Sequence, residues 1–440
     1  MMKTPIYDFL LEYQRSDAVR LHMPGHKGKG PLPEISSLDI TEIAGADSLF
    51  EASGIIAESE ECASAIFGCK TLYSTEGSSL AIRAMLHLAA AYAAEGGERP
   101  LILAGRNAHR AFLSAAALID FDIEWIYGGD SYLCCDIRPE DIRARLLSGK
   151  RMPAAVYITS PDYLGNIADI RKIAEACHDF GVLLLVDNAH GAYLKFLPES
   201  LHPMDLGADM CAASAHKTLP VLTGGAYLHL SERIPESISS TAKQVMALYG
   251  STSPSYLILA SLDLANSIDY NLDSVVSTAE MLKKKISALG IALVGCEPLK
   301  ITLAPKSYGY TGFELSEYLE ANNISPEFCD PDFTVLMLSP NTTAKDAERL
   351  LCALEALPKT TPINSAPPKI TAPKAQISPR DAVYSPSEVI SVSCAEGRIL
   401  SAVTVGCPPA VPIVVSGEII SADAVRSMDY YGTKFVSVVK

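Results

Sequence analysis

The sequence predicts an α/β fold in which a mainly parallel sheet forms the largest domain. Short apolar runs alternate with helical segments through residues 50–270, and this alternation is typical of βαβ units with parallel strands. The chain has 440 residues, of which 48% are hydrophobic. That composition is sufficient for a large core and for more than one domain.

Each predicted element follows from its local pattern. Short apolar runs such as "VLLLVD" predict buried strands, and longer runs rich in alanine and leucine, such as "SLAIRAMLHLAAAYAA", predict helices. The predicted strands are 100–104, 122–127, 154–160 and 182–187, and the predicted helices are 79–94, 107–118, 169–181 and 274–289.

Five segments are predicted along the chain. Residues 357–380 are rich in proline, lysine and threonine and lack apolar periodicity, which indicates a linker or an extended crossing segment. Valine-rich alternation after this stretch predicts strands. The segments are an N-terminal segment (1–50), a large α/β domain (51–270), a small α/β region (271–357), a linker (358–380) and a C-terminal β-rich domain (381–440).

Composition argues against several classes of function. The net charge of −15 opposes binding to polyanions, so we expect no nucleic-acid partner. The eleven cysteines form no CxxC pair, which is typical of reduced thiols in a cytoplasmic protein, and we expect no metal site. The N-terminus lacks a secretory pattern and no stretch approaches the roughly 18 apolar residues of a membrane span, so we expect no membrane partner.

Two residues stand out as candidates for chemistry in the α/β region. Asp187 ends the apolar run "LLLVD", which predicts a place at the carboxyl end of a buried parallel strand, where ligands bind in open sheets. Taken alone, such an aspartate is more often a cap or turn residue. Lys217 follows a small-residue strand and has apolar neighbours in "SAHKTLPVL". A desolvated lysine amine favours Schiff-base formation, although a single lysine is usually an exposed loop residue.

A third candidate site is a group of small residues before the helix predicted at 79–94. Gly77, Ser78 and Ser79 offer backbone N–H groups and two hydroxyls that suit a phosphate, while a simple serine N-cap is the plainer alternative. A phosphate site, then Asp187, then Lys217, in an α/β domain, together fit pyridoxal 5'-phosphate. That cofactor needs a lysine Schiff base and a carboxylate at its pyridinium nitrogen.

Seven segments in order resemble the Orn/Lys/Arg decarboxylase family in its shorter bacterial form. They are "HMPGHKGKG", "LDITE", "RNAHRA", "TSPDYLG", "DNAHGA", "SAHKTLPVLTGGAYL" and "TSPSYLILASLD". The resemblance runs from about residue 20 to 270 and is weaker beyond. It implies a fold-type I pyridoxal-phosphate enzyme, with an aspartate-aminotransferase-like large domain and a small α+β C-terminal region.

The resemblance also implies roles for individual residues near the cofactor. Ser214, three residues before Lys217, resembles the phosphate-binding serine of fold-type I enzymes. Asp187 would pair with the ring nitrogen, and His190 would lie near the phenolic oxygen. His109 of "RNAHRA" would stack on the face of the cofactor ring.

Three further assignments follow from the same resemblance. His216 would lie near the phosphate and the substrate, and either His216 or Lys217 itself would donate the proton to the α carbon. Ser251 and Thr252 would lie at a dimer interface, facing the cofactor of the partner. "LHMPGHKGKG" lacks the GxxxxGK[ST] spacing of a phosphate loop and would be the N-terminal signature of the family, so Lys27 and Lys29 would not form the Schiff base.

The implied activity is decarboxylation of arginine, lysine or ornithine to agmatine or a diamine by a homodimer or a higher homo-oligomer. The sequence does not select among these substrates, and Glu327 is one candidate for binding the distal cation. An aminotransferase, or another fold-type I enzyme acting on a different amino acid, is one alternative. A catalytically silent cofactor-binding homologue is another.

Two departures from the family pattern motivate the silent alternative. Glu76 replaces the asparagine of the usual Asn–Gly–Ser segment, so its carboxylate must turn away from a phosphate or weaken cofactor binding. "CPPAVP" has Cys407 and Ala410 where the family has tyrosine and glycine.

Overall fold

The structure of the protein is a computed structural model. It describes residues 3–93, 99–128, 136–149, 151–407 and 411–440. Ala410 of the "CPPAVP" segment therefore lies outside the described residues. In the described part of the chain, no helix is both long and apolar enough to span a bilayer.

The chain divides into two compact units. The first unit comprises residues 1–96 and 183–270, and the second comprises residues 97–182 and 271–440. The division into five segments predicted from the sequence stays a prediction.

The first unit consists of a sheet and the helices around it. Its strands are β1 (Lys70–Ser74), β5 (Leu183–Asp187), β6 (Met210–Ala213) and β7 (Ala226–Leu230). Its helices are α1 (Pro5–Arg15), α2 (Pro33–Leu38), α3 (Ile55–Phe67), α4 (Gly77–Ala93), α8 (Ala215–Thr218), α9 (Glu236–Ser239), α10 (Ala242–Ala247) and α11 (Tyr256–Ala265).

The strand order of the first unit places the segments that follow β5 and β6 at the same edge of its sheet. The order is β1-β7-β6-β5, and β5 and β6 pair in parallel with Asp187 opposite Ala212. Strand β7 runs antiparallel to both of its neighbours. Helix α4 packs on β6 and β7 and is rich in buried alanine and leucine, as expected for a helix enclosed by the core.

The second unit contains a parallel sheet and a separate region near the C-terminus. Its strands are β2 (Leu101–Gly105), β3 (Asp122–Ile126), β4 (Ala155–Thr159), β8 (Ala292–Val294), β9 (Lys300–Ala304), β10 (Phe328–Cys329), β11 (Thr334–Met337), β12 (Ser387–Ser391), β13 (Thr404–Cys407), β14 (Val411–Val415) and β15 (Phe435–Val439). Its helices are α5 (Arg110–Ala115), α6 (Pro139–Ser148), α7 (Ile170–His178), α12 (Asp273–Leu289), α13 (Gly312–Ala321), α14 (Ala344–Ala356), α15 (Pro379–Tyr384) and α16 (Ala422–Tyr430).

These strands form several sheets with different directions. Strands β4, β2 and β3 pair in parallel in that order, whereas the four-stranded sheet β10-β11-β9-β8 is antiparallel. The C-terminal strands pair as β12 with β15 and β13 with β14. They enclose an apolar core that includes Leu400, Ile413, Met428 and Val438.

The predicted elements agree with the observed ones, although several boundaries are displaced. Helix α4 begins at Gly77, two residues earlier than predicted, and helix α7 ends at His178, three residues earlier than predicted. All four predicted strands are present, as β2, β3, β4 and β5, and the long predicted helices are α4 and α12. The helix predicted at 107–118 begins only at Arg110, because His109 caps it, and it continues as a π-helix over Ala116–Asp120. The predicted linker contains no helix and no regular strand before α15 begins.

Asp263 ties the N-terminal helix α1 to helix α11. One carboxylate oxygen accepts the amide N–H groups of Ile6 and Tyr7 at 2.9 and 3.0 Å, and the other accepts the hydroxyl of Ser59 at 2.5 Å. All three donors are neutral and the side chain is buried, so burial raises the pKa of Asp263 to about 6.

We expect this carboxyl group to make the stability of the fold depend on pH. Because its folded pKa lies above its unfolded value, its contribution is fully present below about pH 4 and is lost as pH rises through about 6. A shift of about two units corresponds to at most about 3 kcal/mol. Asp263→Asn is neutral at every pH and keeps one oxygen that can accept from Ile6 and Tyr7, although its amide nitrogen faces Ser59 as a donor. The unfolding free energy of the wild type relative to this variant should therefore fall between pH 4 and 7. Denaturant titrations with parallel pH profiles in both proteins would contradict this.

Candidate active site

Asp187 lies where the sequence predicted it, at the carboxyl end of β5. Its side chain is buried, and its Oδ1 accepts the amide N–H of Ala189 at 3.1 Å. This edge is where ligands bind in open α/β sheets.

Lys217 lies on the single turn of α8, directly after strand β6, and it meets another predicted residue. Its Nζ is 3.1 Å from Nε2 of His190, which is buried in the turn after β5. When the lysine is protonated it can only donate in this contact, so the imidazole nitrogen accepts. The structure thus brings the predicted amine beside the predicted phenolic-oxygen neighbour.

The two predicted phosphate segments also meet. Ser214 is the N-cap residue of α8, but its hydroxyl makes no capping bond and instead donates to Oγ of Ser78 at 2.8 Å. Both side chains are buried. Ser78 and Ser79 occupy the first turn of the long helix α4, where N–H groups lack intrahelical partners and favour an anion.

Gly77 shapes this turn through its backbone. Its amide N–H donates to the carbonyl oxygen of Gly224 at 2.7 Å, so that group is already bonded. Gly77 has a φ of +71°, which residues with a side chain rarely adopt. A Cβ at Gly224 would lie 2.7 Å from the carbonyl oxygen of Thr75, so the second contact residue must also be a glycine. Gly224 was missed in the sequence, although the doublet "GG" after Lys217 is a signal of close backbone approach.

The carboxylate of Glu76 does not point toward Ser78 and Ser214. Its side chain is exposed, and its Oε1 accepts the amide N–H of Ser251 at 2.5 Å. The carboxylate therefore has a donor of its own in the loop that carries Ser251 and Thr252, both of which are exposed.

His216 has a defined tautomer. Its Nδ1 is 2.9 Å from the carbonyl oxygen of Gly225, which can only accept, so Nδ1 carries the hydrogen. The ring is half-buried, and burial lowers the pKa of His216, assisted by the nearby charge of Lys217. The neutral ring then has an unprotonated Nε2.

His109 belongs to the second unit, at the end of the loop that follows β2. It caps helix α5, with its Nδ1 accepting the amide N–H of Ala111 at 3.2 Å. The residue is exposed. The sequence predicted a stacking role for this ring, and that role stays a prediction.

The remaining candidates have the following contacts. Nζ of Lys27 donates to the carbonyl oxygen of His22 within the N-terminal signature segment. Glu327 is exposed, and its Oε1 accepts the hydroxyl of Tyr163 at 3.0 Å. Across the described ranges, no group of three or more metal-ligating side chains could hold a metal ion.

We expect His216 to be neutral at pH 7, with its hydrogen on Nδ1. Burial and the neighbouring Lys217 both favour the uncharged ring, so its pKa should lie below the usual 6.5. Long-range ¹H–¹⁵N spectra of histidine-labelled protein distinguish the two tautomers and the imidazolium, and His216→Gln assigns the resonances. An imidazolium pattern at pH 7 would contradict this geometry.

Comparison with known proteins places this chain among decarboxylases. A model of the family described as "Orn/Lys/Arg decarboxylase, major domain" matches residues 4–294. An arginine decarboxylase from Halalkalibacterium halodurans is 30% identical over 95% of this chain and 91% of that protein. An arginine decarboxylase from Bacillus subtilis strain 168 is 29% identical, over 96% of this chain and 92% of that protein.

A comparison with solved structures concerns the fold. A lysine decarboxylase from Francisella novicida superposes with a TM-score of 0.79 at 16% identity, covering 99% of this chain and 81% of that one. Together with the parallel pairing of β5 with β6 and of β2 with β3 and β4, this likeness confirms the predicted fold class, an α/β protein of fold-type I architecture.

Proposed function

The chain belongs to the Orn/Lys/Arg decarboxylase family and is an amino-acid decarboxylase. On this premise we propose that it uses pyridoxal 5'-phosphate to release carbon dioxide from arginine, lysine or ornithine, yielding agmatine or a diamine.

The observation that carries the proposal is the single turn of α8. It directs the hydroxyl of Ser214 onto Ser78, at the first turn of α4, and the amine of Lys217 onto His190. A phosphate anchor and a reactive amine are thus held at a fixed spacing on one rigid element. A lysine that bonds covalently to a phosphorylated aldehyde needs this combination.

The residues present fit the cofactor. The first unit supplies the buried hydroxyl of Ser78 at the N-terminus of the long helix α4 and the buried hydroxyl of Ser214 beside it. It also supplies a half-buried lysine amine and a buried carboxylate at a strand end. These are the donors and charges that a phosphate, an aldehyde carbon and a pyridinium nitrogen require. We assign phosphate binding to Ser78, Ser79 and Ser214, with Gly77 shaping the turn.

The chain's own residues then have separate tasks. When bound, the cofactor supplies a ring that accepts the electron pair left as the carboxylate departs. Asp187 would hold a proton on the ring nitrogen, because an adjacent carboxylate stabilises the cation. His190 would orient Lys217 through the 3.1 Å contact, and His109 would cover a face of the ring.

Proton delivery to the substrate carbon is assigned to Lys217 in preference to His216. The Nδ1 hydrogen of His216 is engaged by the carbonyl of Gly225, and burial keeps the ring neutral, so its Nε2 carries no proton to give. We therefore assign His216 to hydrogen-bond acceptance beside the phosphate and the substrate.

Glu327 remains the proposed contact for the distal cation of the substrate. The hydroxyl of Tyr163 holds one of its carboxylate oxygens, and burial, reinforced by the charge of Glu327, raises the pKa of Tyr163. The phenol therefore stays a donor that orients the carboxylate, whose charge suits an ammonium or a guanidinium group.

A homodimer in the cytoplasm that serves polyamine biosynthesis completes the proposal. Val19, Leu21 and Met23 expose most of their apolar side chains, which supports a partner subunit. Eight described cysteines are free thiols, which supports a reducing compartment. The silent alternative has lost part of its motivation, because Glu76 binds the amide of Ser251.

The first test is the release of carbon dioxide from a panel of amino acids. We expect release from at least one of arginine, lysine and ornithine, with stoichiometric formation of the amine. Formation of a keto acid without carbon dioxide would instead identify an aminotransferase.

The same holoenzyme locates the covalent residue. Borohydride reduction should fix the cofactor on Lys217, and Lys217→Ala should abolish the label, whereas the matched control Lys27→Ala should keep it. Label recovered at Lys27 or Lys29 would refute the assignment.

The second test concerns Asp187. Asp187→Asn keeps the size of the side chain and removes its charge, so the cofactor should still bind through the serines and Lys217. The chemical step should slow by about 10²–10³-fold, the usual cost of losing one preorganised electrostatic partner, with little change in KM. Single-turnover release of carbon dioxide measures this, with the exposed Asp269→Asn as control. A near-normal rate would show that Asp187 is an ordinary strand-end residue.

A further inference from the structure

Arg106 is a fully buried cation directly after strand β2 and three residues before His109. Its side chain has 0% exposure, and its backbone N–H donates to the carbonyl oxygen of Ile126 at 3.0 Å. A buried guanidinium stays charged at any physiological pH and must therefore be fully paired.

The C-terminal segment 411–418 supplies its partners. Nη1 and Nη2 of Arg106 donate to the two carboxylate oxygens of Glu418 at 2.7 and 2.8 Å. Nε and Nη2 also approach the carbonyl oxygens of Pro412 and Ile413 at 3.3 and 3.4 Å. The guanidinium carbon lies 4.8 Å from the ring centroid of Trp125, within the range of a cation–π contact.

Glu418 is itself held in place. It is 2% exposed, and its Oε2 also accepts the amide N–H of Val415 at 2.9 Å. A buried ion pair adds little stability over apolar residues of the same size, but two parallel hydrogen bonds fix the plane and direction of the guanidinium. The pair therefore contributes geometry more than stability.

A short segment of backbone connects Arg106 to His109. Only Asn107 and Ala108 lie between the two residues. Both are buried, and the N–H of Ala108 donates to the carbonyl oxygen of Gly105 at 3.1 Å. On its other side, His109 is fixed by its cap to Ala111. We infer that Arg106 and Glu418 are positioning residues that fix the place and direction of the His109 ring within the second unit. This inference rests on the role proposed above for His109.

The test compares variants that remove the pair in different ways. Glu418→Gln leaves the guanidinium buried without its counter-charge. The double variant Arg106→Met/Glu418→Leu removes both charges and should fold even if the single variant does not. Glu388→Gln is the matched control, because Glu388 forms an exposed pair with Arg398 at 2.7 Å in the same C-terminal region.

Three readouts separate positioning from folding. Trp125 is the only tryptophan of the chain, and its ring contacts Arg106. Its fluorescence emission therefore reports directly on the Arg106–Glu418 pair, with or without cofactor. Visible circular dichroism of added pyridoxal phosphate reports on the surroundings of its ring. The rate of carbon dioxide release divides into kcat and KM.

We expect Glu418→Gln and the double variant to change the Trp125 emission and to lose at least half of the visible dichroism. Their kcat should fall about 10- to 100-fold, the scale of a displacement of about 1 Å, with KM changed less than about threefold. Glu388→Gln should match the wild type. Adding His109→Ala to Glu418→Gln should cause no further loss, because the two act through one ring.

Other outcomes would overturn the inference. Wild-type kcat and dichroism in a folded double variant would mean that the pair has no positioning role. Additive losses with His109→Ala would mean that Glu418 acts by another route. Failure of the proposed function gives a different result. In that case His109→Ala leaves the dichroism unchanged, or the wild type releases no carbon dioxide. The Trp125 emission still reports on the Arg106–Glu418 pair.

Discussion

The candidate active site depends above all on the parallel pairing of β5 and β6. Parallel strands end at the same edge of a sheet, so the turn after β5 and the turn after β6 emerge side by side. Asp187 lies opposite Ala212, and the chain reaches Ser214 and Lys217 directly beyond. The contact between Lys217 and His190 follows from this register. A slip by one residue would turn Asp187 to the other face of the sheet and separate the pair.

The antiparallel strand β7 adds a second constraint on the same edge. Because β7 runs against β6, the chain before it returns to the edge where β6 ends, and the carbonyl of Gly224 meets the amide of Gly77 at the start of α4. The serines proposed to bind a phosphate, Lys217 and Asp187 thus all belong to the first unit. Their mutual geometry is set by the packing of that unit.

Local patterns in the sequence were sufficient for much of this arrangement. The strands were predictable because buried parallel strands are continuous apolar runs. Asp187 stood out because it ends such a run, and Lys217 stood out because it follows a small-residue strand and has apolar neighbours. Contacts between distant segments were not predictable from one sequence. Nothing local indicates that Glu76 turns to Ser251, 175 residues away, or that Arg106 pairs with Glu418, 312 residues away. The start of α5 was misplaced because a histidine cap is not among the usual N-cap residues.

Asp263 and Glu418 are two buried carboxylates that offset the cost of removing a charge from water in different ways. Asp263 is held by neutral donors alone, so burial raises its pKa and its negative charge is tolerated poorly. Glu418 faces a guanidinium that cannot lose its proton. The first solution suits a tether, since a protonated Asp263 can still accept hydrogen bonds from the N-terminal helix. The pairing of Glu418 with Arg106 suits a residue that must keep one direction, because its two parallel hydrogen bonds persist while both groups stay charged. The difference explains why a fully buried arginine is found beside the loop that carries His109, where a fixed direction matters more than the stability that an apolar pair would provide.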